Sequence, residues 1–600
     1  MKTIAKIWGA FMILLFATLF FSIDANASTV SLVPNNESAA IQNTATLQKA
    51  INAASTGETI TIPKGTYYLS GEIMVKSNIT IQGEDMYATK LYIDKGFVSP
   101  YIQIPADTGL GVSNLTMKNM SMGMNPNTVP TIDINADAIQ EYGKGTALDT
   151  NKKNFSFIEI SNKYSGKYTP NTPRTNKNLT FSNLILDGEL KGDSGIFLGD
   201  AENVTVTNNT IKNIGAKNGI SLQTSSDITI KNNTITNVGR SSIFMYLGNK
   251  NITIENNNMK DWLQRFGVLH YFQLINEGMT KEKASQTTNN DSGIYSYGPA
   301  NEGIFIKNNQ LSVSEGKKNP NNAVLAKYGV TNSQSIMYSA IRLPGTKDSE
   351  VIGNDVQLTS PDAYSFLDVN IKSEGTLEQG SKNIYIKQNT FTVGSSGTIM
   401  YPFRIFNAEA DENGNGIIID ENTIDIQGDI WNYFKTIVEV RKGDPGLRGS
   451  IDTQSLTFIN NLISVKDWPI KTSKWLYVNG CKLDVLEFWG NRFKDNTPEI
   501  LDIIGSENIN KTYTMKLNPY FLNYEQLANP YITGTATKDS IYKITRINDI
   551  AQANIVDGKV IMYLKPDQVK GKDRVEIKLM KENTLAERTT NRAYILYFNQ

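Results

Sequence analysis

The stretch "ITIKNNTITNVGRSSIFMY" at residues 228–246 decides the fold of this chain, because the sequence repeats its first half. A close copy, "VTVTNNTIKNIG", lies 24 residues upstream at residues 204–215. Both copies alternate apolar and polar residues, as strands do, and then reach an Asn. The same apolar-x-x-Asn phrase occurs nine times, ending at Asn209, Asn233, Asn257, Asn309, Asn354, Asn389, Asn422, Asn461 and Asn491. The repetition predicts a strand followed by an identical turn in every copy.

Stacked turns of this kind indicate a solenoid. An Asn just after a strand supplies either left-handed backbone geometry or side-chain hydrogen bonds. If identical turns stack, the Asn amides can bond to one another along the stack. The spacing is 24 residues where the copies are closest and 52 residues between Asn257 and Asn309. Insertions therefore leave from turns, which is typical of proteins whose repeats contact only their neighbours.

Composition limits the possible functions. The chain has 600 residues, too many for one compact core, which favours several domains or an elongated repeat array. Its 59 basic residues balance 59 acidic ones, so no net field would gather nucleic acid or an anionic membrane, and we expect neither as a partner. Cys481 is the only cysteine, so internal disulfides are excluded and sheet burial must provide the stability.

Residues 1–27 have the pattern of a secretory signal peptide. Two lysines precede the apolar run "FMILLFATLFF", and Ala25, Asn26 and Ala27 form the small-x-small pattern of a cleavage site. We expect the mature protein to begin at Ser28 and to be a secreted monomer that has left the membrane, with cell-surface association left open. A retained membrane anchor is the alternative, but the apolar run is short for a bilayer.

A helix is predicted ahead of the repeats. Leu47, Ala50, Ile51 and Ala54 mark one helical face, and "GETITIPKGTYYL" at 57–69 then indicates strand, turn and strand. A solenoid exposes apolar side chains at its open end, so an amphipathic helix laid over that end would cover them.

These features resemble the pectin-lyase-like superfamily. The capping helix, "TGETITIPKGTYYL" at 56–69, "NITIQGE" at 78–84 and the "NNTI" copies are similar to its right-handed parallel β-helix over about residues 44–505. The resemblance implies an all-β fold with a linker at 28–43 and a β-helix domain at 44–510. It also implies extracellular work on polysaccharides by lyases, hydrolases or epimerases, besides some non-enzymatic surface proteins, with the substrate lying across a sheet face.

A second resemblance covers residues 511–600. The segments "KLNPYFLNYEQLANPYITGT" at 516–535 and "GKVIMYLKPDQVKGKDRVEIKLM" at 558–580 are similar to small bacterial immunoglobulin-like modules, with short strands between turns. This resemblance implies a β-sandwich that serves as a spacer or adhesive unit. Its aromatic residues, such as Tyr520, are interpreted as core rather than as a sugar platform.

A second repeated strand precedes each Asn phrase. It carries a small residue, an apolar residue, a variable residue and another apolar residue, as in "GIFL" at 195–198 and "AIRL" at 340–343. Aligning the copies places one apolar residue of each inside the solenoid: Ile196, Ile220, Ile243, Ile294, Ile341, Leu367, Phe403 and Val438. Because successive side chains of a strand point to opposite faces, the next residues point outward. This outward column comprises Phe197, Ser221, Phe244, Tyr295, Arg342, Asp368, Arg404 and Glu439.

Two further columns share this outward face. Two residues before the small position stand Asp193, Lys217, Arg240, Asp291, Tyr338, Met400 and Lys435. Two residues after the outward column stand Gln223, Tyr246, Tyr297, Phe406 and Arg441. Aromatic, arginine and carboxylate side chains together are suited to stacking on sugar rings and to binding acidic groups, whereas the other repeated strands carry Thr and Lys. The insertions at 161–177, 263–290 and 312–337 would wall this face into a cleft.

A structural alternative exists for the charged residues of this face. Arg342, Asp368, Arg404 and Glu439 alternate in sign, so they would also make a charge ladder that only stabilises stacked strands. Such a ladder does not explain the neighbouring tyrosines and Arg441. We therefore interpret the face as a substrate cleft.

The predicted chemistry is β-elimination on a uronate-containing polysaccharide. This reaction needs the substrate carboxylate neutralised and a base that removes the adjacent proton. Arg342 and Arg404 are the candidate neutralisers. Lys217, Arg240 or Tyr295 is the candidate base, since the resemblance implies Lys, Arg or Tyr in that role. The expected substrate-binding residues are Phe244, Tyr246, Asp291, Tyr297, Asp368, Glu439 and Arg441.

Hydrolysis and binding without chemistry are alternatives. A hydrolase needs two carboxylates about 5 to 10 Å apart, and Asp368 and Glu439 lie two turns apart, about twice the 4.8 Å strand spacing. An adhesin would use the same cleft and the C-terminal module. The Gly-His-Gly and Asp-Pro-His-Asp signatures of galacturonases and epimerases are absent. "RLPGTK" at 342–347 only partly matches the pectate-lyase Arg-x-Pro-x-x-Arg, because Lys347 replaces the second Arg.

The sequence establishes no cofactor, and Ca²⁺ is the metal that the resemblance allows. Its ligands would come from Asp193, Asp291 or Asp368, but these are spread along the stack, so we assign no metal site. His270 is the only histidine and lies in "WLQRFGVLHYFQLINEG", which we expect to form a helix over the sheet. A packing or hydrogen-bonding role is favoured for it, and an acid role is left open.

Overall fold

The structure is a computed structural model that describes most of the chain from Ala27 onward. The described residues are 27–93, 102–103, 111–125, 127, 156–161, 174–190, 194–287, 291–330, 336–369, 372–374, 377–406, 408–409, 416–431, 436–441, 455–466, 476–479, 485–489, 492–493, 501–504, 513–517, 542–546, 549–551, 553–556, 559–564, 574–581 and 593–597. Within them, no helix is both long and apolar enough to cross a membrane. The predicted signal peptide lies outside the described residues, apart from Ala27.

The chain forms a solenoid with three strands in each complete turn. Strands of successive turns pair in parallel, so strands at the same place in each turn form three columns. The first column consists of Ala27–Thr29, Thr59–Ile62, Ile79–Gly83, Leu115–Met124, Asn176–Asp187, Ala201–Thr207, Ser226–Lys231, Lys250–Glu255, Asn301–Lys307, Thr346–Ile352, Lys382–Lys387, Ile417–Asp420, Ser455–Ile459 and Val485–Trp489. The all-β, parallel β-helix fold that the repeats predict is confirmed.

The second and third columns complete each turn. The second contains Gly65–Leu69, Thr89–Ile93, the later parts of Leu115–Met124 and Asn176–Asp187, and then Thr210–Ile214, Thr234–Val238, Asn258–Lys260, Gln310–Val313, Asp355–Leu358, Thr390–Val393, Thr423–Ile426, Leu462–Val465 and Arg492–Phe493. The third contains Ile73–Met74, Ile102–Gln103, Ser156–Ile160, Ser194–Gly199, Ile220–Gln223, Ile243–Tyr246, Ser292–Tyr297, Tyr338–Arg342, Ala363–Val369, Phe403–Phe406, Val438–Arg441, Leu476–Asn479 and Leu501–Ile504. Thr398–Ile399 and Asp429–Ile430 pair beside this column.

The solenoid interior is filled by one apolar side chain after another. All eight residues predicted to point inward in the third column, from Ile196 to Val438, are fully buried. The small position before each of them lies at a tight corner. A Cβ atom on Gly219 would approach Ile235 Cγ2 to 2.7 Å, which explains why Gly, Ser or Ala recurs there. Phe366 occupies the same position in a later turn and packs on Phe391 of the second column.

Asparagine forms a continuous ladder between the first and second columns. Each side-chain Nδ2 donates to Oδ1 of the next Asn at 2.9–3.0 Å, from Asn209 to Asn461. Each Oδ1 also accepts a backbone N–H, and every ladder Asn is buried. The left-handed residue is the one before the ladder Asn: Asn208, Asn232, Asn256, Asn308, Gly353, Gln388, Glu421 and Asn460 have φ of 54–66°. Asn491 lies outside the described residues.

The N-terminal end of the solenoid is covered as predicted, but the covering starts earlier than expected. A 3-10 helix at Glu37–Ala39 continues into the helix Ala40–Ala53, whose Leu47 and Ile51 are buried. The strand Ala27–Thr29 already pairs with Thr59–Ile62. Residues 28–43 are therefore part of the β-helix domain, and the predicted linker with a boundary at residue 44 is wrong.

The remaining elements lie in insertions and at the C-terminus. Three further helices span Phe266–Asn276, Lys281–Thr287 and Pro320–Ala326, and Lys372–Glu374 pairs with Leu377–Gln379 in an antiparallel hairpin. Beyond residue 510 two antiparallel sheets occur, one of Tyr513–Leu517, Ala553–Val556 and Lys559–Leu564, and the other of Tyr542–Arg546, Asp549–Ala551, Arg574–Lys581 and Ala593–Tyr597. The immunoglobulin-like sandwich stays a prediction.

Candidate functional site

The third column carries a row of outward side chains, which we call the outer stripe. Strand register pairs its members one after another: Phe197, Ser221, Phe244, Tyr295, Arg342, Asp368, Arg404 and Glu439. Because the residue before each member is buried in the core, the stripe points away from the interior. The predicted alignment of this column is confirmed at every step.

Asp368 is shared by two arginines within the stripe. Its Oδ2 accepts hydrogen bonds from Arg342 Nε at 3.0 Å and from Arg404 Nη1 at 3.4 Å. Burial lowers the pKa of Arg342, but Tyr295 and Asp368 raise it by more, so its guanidinium stays charged. Burial also lowers the pKa of Arg404, and Tyr364, Asp368 and Glu439 raise it, with a net increase. The alternating charge ladder considered from the sequence is therefore bonded from Arg342 through Asp368 to Arg404, and Glu439 acts on Arg404 electrostatically.

In each ion pair of this face, the arginine side chain is more exposed than the carboxylate. The side chain of Arg342 is 13% exposed and that of Arg404 is 21% exposed, whereas the shared Asp368 is only 1% exposed. Arg240 is 17% exposed and its partner Asp291 is fully covered. Pairs on the first column differ, as in Lys177–Glu202, where both side chains are well exposed. The outer face of the third column therefore presents guanidinium groups and hides its carboxylates.

Arg240 links the stripe to the insertion helix Phe266–Asn276. Its Nε donates to Asp291 Oδ2 at 2.8 Å. Its guanidinium carbon lies 4.3 Å from the ring centre of Phe244 and 4.2 Å from that of Phe266, so the charge is held between two rings. His270 stacks on Phe266 with 5.4 Å between ring centres. The predicted helix over the sheet is confirmed, and it borders the site at this edge.

Aromatic rings occupy the turns before Arg342. Phe244, Tyr246 and Tyr297 are mutually near-parallel, with ring centres 5.6–6.3 Å apart. Tyr295 stands at a steep angle to Phe244 and Tyr297 and lies beneath the Arg342 guanidinium, 4.9 Å from its carbon atom. Tyr246 and Tyr297 are half-buried, so part of each remains on the surface. The structure therefore brings together the aromatic residues that the sequence predicts on this face.

Two residues of the site were missed by sequence reasoning. Tyr364 and Tyr401 place their rings 5.4 Å and 6.0 Å from the Arg404 guanidinium carbon, and Phe406 lies at 4.1 Å. Burial raises the pKa of Tyr364 to about 12, so its phenol is neutral at ordinary pH. Tyr364 stands two residues before the small position, and applying that offset to the strand Ala363–Val369 would have found it. Tyr401 carries no comparable signal.

The other predicted members of the face have mixed outcomes. Lys217 is half-buried one turn before Arg240, and its carbonyl accepts the Arg240 N–H at 2.8 Å. Tyr338 was expected to point outward, but it is fully buried against Trp262, and the register shifts beside it. Arg441 pairs with Phe406 in register, and its side chain lies outside the described residues, as does Asp193.

Two of the three candidate bases do not suit that role. Burial raises the pKa of the Tyr295 phenol far above its usual range, and the side chain is 4% exposed. An arginine side chain offers donors and no acceptor, and Arg240 already donates to Asp291. Tyr295 and Arg240 are therefore unsuitable as the base, because a base must be reachable and able to accept a proton. Lys217 is the candidate that remains.

Asp291 and Asp368, two of the candidate Ca²⁺ ligands, each form an ion pair with an arginine. Among the described residues, no group of three or more His, Cys, Asp or Glu side chains could hold a metal ion. Neither aspartate is therefore assigned as a Ca²⁺ ligand.

Comparison with known families supports the fold assignment. Residues 36–263 match the sequence profile of a family described as rhamnogalacturonase A/epimerase, pectate lyase-like. Together with the three parallel columns, this match supports the resemblance of the chain to the pectin-lyase-like β-helix superfamily. No curated protein matches the sequence.

Several solved structures are similar to this chain. The catalytic unit of a thermostable GH87 α-1,3-glucanase from Streptomyces thermodiastaticus strain HF3-3 is 13% identical, covers 82% of this chain and 68% of its own, and has a TM-score of 0.44. The mannuronan C-5 epimerase AlgE6 A-module of Azotobacter vinelandii is 13% identical, with 76% and 96% covered and a TM-score of 0.37. A tailspike protein mutant of E. coli bacteriophage HK620, in complex with pentasaccharide, is 11% identical, with 92% and 82% covered and a TM-score of 0.42. Similarity of fold at these identities does not transfer function.

Proposed function

We propose that this protein is a secreted, carbohydrate-active enzyme that binds an acidic polysaccharide along the outer stripe and cleaves it by β-elimination. The observation that carries the proposal is the asymmetric exposure of the ion pairs. Arg240, Arg342 and Arg404 reach the surface, while Asp291 and Asp368 are covered. An anionic glycan lying on this face would therefore meet guanidinium groups first. Arginine suits carboxylates because its planar donors can bind both oxygens.

Aromatic side chains support a sugar ligand rather than a simple anion. Tyr246 and Tyr297 offer partly exposed rings beside the guanidinium groups, and rings of this kind pack on the C–H faces of sugars. The family profile over residues 36–263 and the names of the similar solved structures also concern carbohydrates. These comparisons support a carbohydrate partner and leave the reaction to be tested.

The residues divide the work of elimination between two neighbouring turns. Arg240 would pair with the substrate carboxylate, which makes the adjacent C–H proton more acidic. Lys217, one strand spacing away, would accept that proton when its amine is neutral. The electron pair of the broken C–H bond forms the new double bond, and the glycosidic C–O bond breaks as the leaving oxygen takes up the proton that Lys217 accepted, which returns the amine to its starting form. Arg342 and Arg404 would hold acidic sugars further along the chain.

A hydrolase is the second candidate, because a specific observation favours it. Asp368 and Glu439 occupy the stripe two turns apart, separated through Arg404 by twice the strand spacing of about 4.8 Å. This backbone separation of about 9.6 Å lies at the upper limit of the carboxyl separations of inverting hydrolases, about 6.5 to 9.5 Å. Both carboxylates are nearly covered, at 1% and 3% exposure, which counts against this candidate in comparison with elimination.

The test is an incubation of the mature chain with acidic polysaccharides, followed by product analysis. Unsaturated ends, seen by ultraviolet absorbance, indicate elimination, and new reducing ends without that absorbance indicate hydrolysis. Binding without product indicates an adhesin and contradicts the enzyme proposal.

Lys217→Ala and Arg240→Ala should each lower turnover at least 100-fold, about the lower bound for losing acid-base catalysis. Lys231→Ala is the matched control, because Lys231 pairs with Glu255 on the first column.

The same assay examines the wider site. Arg342→Ala and Arg404→Ala should raise KM more than they lower kcat, because both residues are proposed to bind sugars away from the cleaved bond. Full activity at unchanged KM in both variants would remove the outer stripe from the proposal.

A further inference from the structure

An exposed tryptophan stands one turn beyond Arg404, and the proposed function does not use it. Trp431 follows the strand Asp429–Ile430 and is 50% exposed, whereas Trp262 is fully buried. An aromatic side chain of this size is stabilised by leaving water. Single exposed apolar residues are nevertheless common on protein surfaces. The neighbours of Trp431 therefore decide whether it belongs to the site.

Strand register places Trp431 on the same face as the outer stripe. Three buried residues pair one after another in successive turns: Ala363, Ile399 and Ile430. The residues that directly follow them form a second row of outward side chains: Tyr364, Met400 and Trp431. The backbone N–H of Trp431 donates to the Ile399 carbonyl at 2.9 Å, which fixes this end of the row.

Arg404 reaches from the outer stripe toward this second row. Its guanidinium carbon lies 5.4 Å from the ring centre of Tyr364 and 6.0 Å from that of Tyr401, and its side chain is 21% exposed. Tyr401 directly follows Met400 and packs edge-on against Tyr364, with 5.6 Å between ring centres. The turn of Trp431 comes next, about 4.8 Å further along the solenoid. An exposed indole thus adjoins an exposed, ring-supported guanidinium.

We propose that Trp431 forms a further sugar-binding subsite, where the indole packs on the sugar next to the one whose acidic group binds Arg404. One sugar ring is about as long as one strand spacing, so a glycan lying along the solenoid places neighbouring sugars on neighbouring turns. The indole provides a rigid apolar face for the C–H groups of a sugar, and arginine provides paired donors for a carboxylate. This inference rests on the proposed function and adds a second end to the ligand site.

The position of Trp431 also sets the length of ligand that can use it. Five strand pairings separate the turn of Arg240, where elimination is proposed, from the turn of Trp431. At about 4.8 Å for each pairing, the distance is about 24 Å. A glycan of about six sugars or more reaches from one to the other. A tetrasaccharide held for cleavage at Arg240 does not reach Trp431.

Fluorescence and calorimetry on the intact mature chain test this subsite. The probes are oligogalacturonate, oligomannuronate and hyaluronan fragments of about eight sugars. Binding should change the tryptophan emission of the parent protein. Trp431→Phe should lose most of that change but bind within about threefold of the parent, because Phe keeps an aromatic ring. An equal emission change in Trp431→Phe would overturn the inference. Failure of the parent to bind any probe would instead contradict the proposed function, and the subsite with it.

Removing the ring provides the second test. Trp431→Ala should bind the long fragments about tenfold more weakly than the parent and cleave a tetrasaccharide with unchanged kcat/KM. Tyr385→Ala is the matched control, because Tyr385 is an aromatic residue of the first column with 38% exposure, and it should change neither quantity. Circular dichroism reports whether both variants are folded. Unchanged affinity of folded Trp431→Ala would overturn the inference, and so would an effect confined to self-association of the chain.

Discussion

The Asn ladder and the outer stripe are both rows of side chains stacked turn upon turn along the same solenoid. The ladder repeats one residue from Asn209 to Asn461, and each side chain there is buried and fully hydrogen-bonded. The stripe changes residue at almost every turn, from Phe197 to Glu439. The row that repeats satisfies one requirement of the architecture in every turn, whereas the row that varies meets a different set of neighbours in each turn.

Elementary chemistry explains why one row can repeat and the other cannot. An amide both donates and accepts, so identical Asn side chains satisfy one another along a stack. Identical charges about 4.8 Å apart would repel, so charged residues in a row must alternate in sign or be separated. The stripe meets this requirement through Asp368 between Arg342 and Arg404. The predictions below test whether the two rows differ as this comparison requires.

The largest loss of stability is expected for Asp368→Ala. The change leaves two guanidinium groups facing each other without their shared carboxylate, and breaking a buried pair in this way costs about 3–5 kcal/mol. Chemical denaturation measures the loss. Asp355→Ala is the control, because Asp355 is half-buried and bonds Gln357 at the surface, and it should change stability by less than about 1 kcal/mol. Equal losses in the two variants would contradict a buried, shared charge at Asp368.

Asn309→Ala should cost nearly as much, about 3 kcal/mol. It removes the acceptor of the Asn257 backbone N–H and the donor to the Ile254 carbonyl, and each buried group left unsatisfied costs about 1–3 kcal/mol. Hydrogen exchange should also rise in the adjoining turns, because the ladder connects them. Asn251→Gly is the control: Asn251 is exposed and left-handed, so Gly keeps the backbone conformation. An unchanged stability of Asn309→Ala would show that the ladder does not hold the turns in register.

Replacing the whole charge cluster should cost less than breaking it. The triple variant Arg342→Met, Asp368→Leu and Arg404→Met removes all three charges together, and such replacements are often neutral within about 2 kcal/mol. We expect stability closer to the parent than that of Asp368→Ala, with glycan binding abolished. Denaturation and binding assays on the same preparations measure both. A triple variant less stable than Asp368→Ala would indicate that the cluster serves folding rather than ligand binding.

The smallest effect concerns pH and His270. Burial lowers the pKa of His270, Arg240 lowers it further, and Asp291 and Glu277 oppose the shift. The unfolded chain therefore binds a proton at a higher pH than the folded protein does. This contribution to stability is present above about pH 6.5 and is lost as the pH falls from there through the folded pKa. His270→Gln should flatten this part of the pH profile.

Nuclear magnetic resonance can check the same point directly, since His270 is the only histidine in the chain. Its imidazole should titrate below the usual histidine range. A pKa at or above about 6.5 would contradict the packing of His270 against Phe266 beside Arg240.

The sequence predicts the ladder and the alignment of the stripe because both follow from period and parity. Each Asn phrase fixes one turn, and alternation along a strand then separates inward Ile341 from outward Arg342. The prediction fails where the period is locally broken. Tyr338 lies beside a register shift and turns into the core. Parity alone gives no sign of such irregularities.

The sequence predicts which residues belong to the site better than it predicts the contacts between them. Arg240 lies between Phe244 of the sheet and Phe266 of an insertion helix. This contact depends on how the helix packs on the sheet, and the repeats carry no information about that packing. The burial of Tyr295, which corrects its proposed role as base, likewise follows from neighbouring turns and not from its own strand. The sequence also placed the start of the domain at residue 44, because the short strand Ala27–Thr29 has too few residues to show a pattern.

By itself, the sequence determined the parallel β-helix and the row of aromatic and charged residues on one face. It could do so because a regular stack repeats the same local requirement in every turn. Only the tertiary structure decided which of those charges reach the surface and which are covered. Exposure depends on contacts between side chains of different turns and on insertions folded over them, and these are set by three-dimensional packing rather than by spacing along the chain.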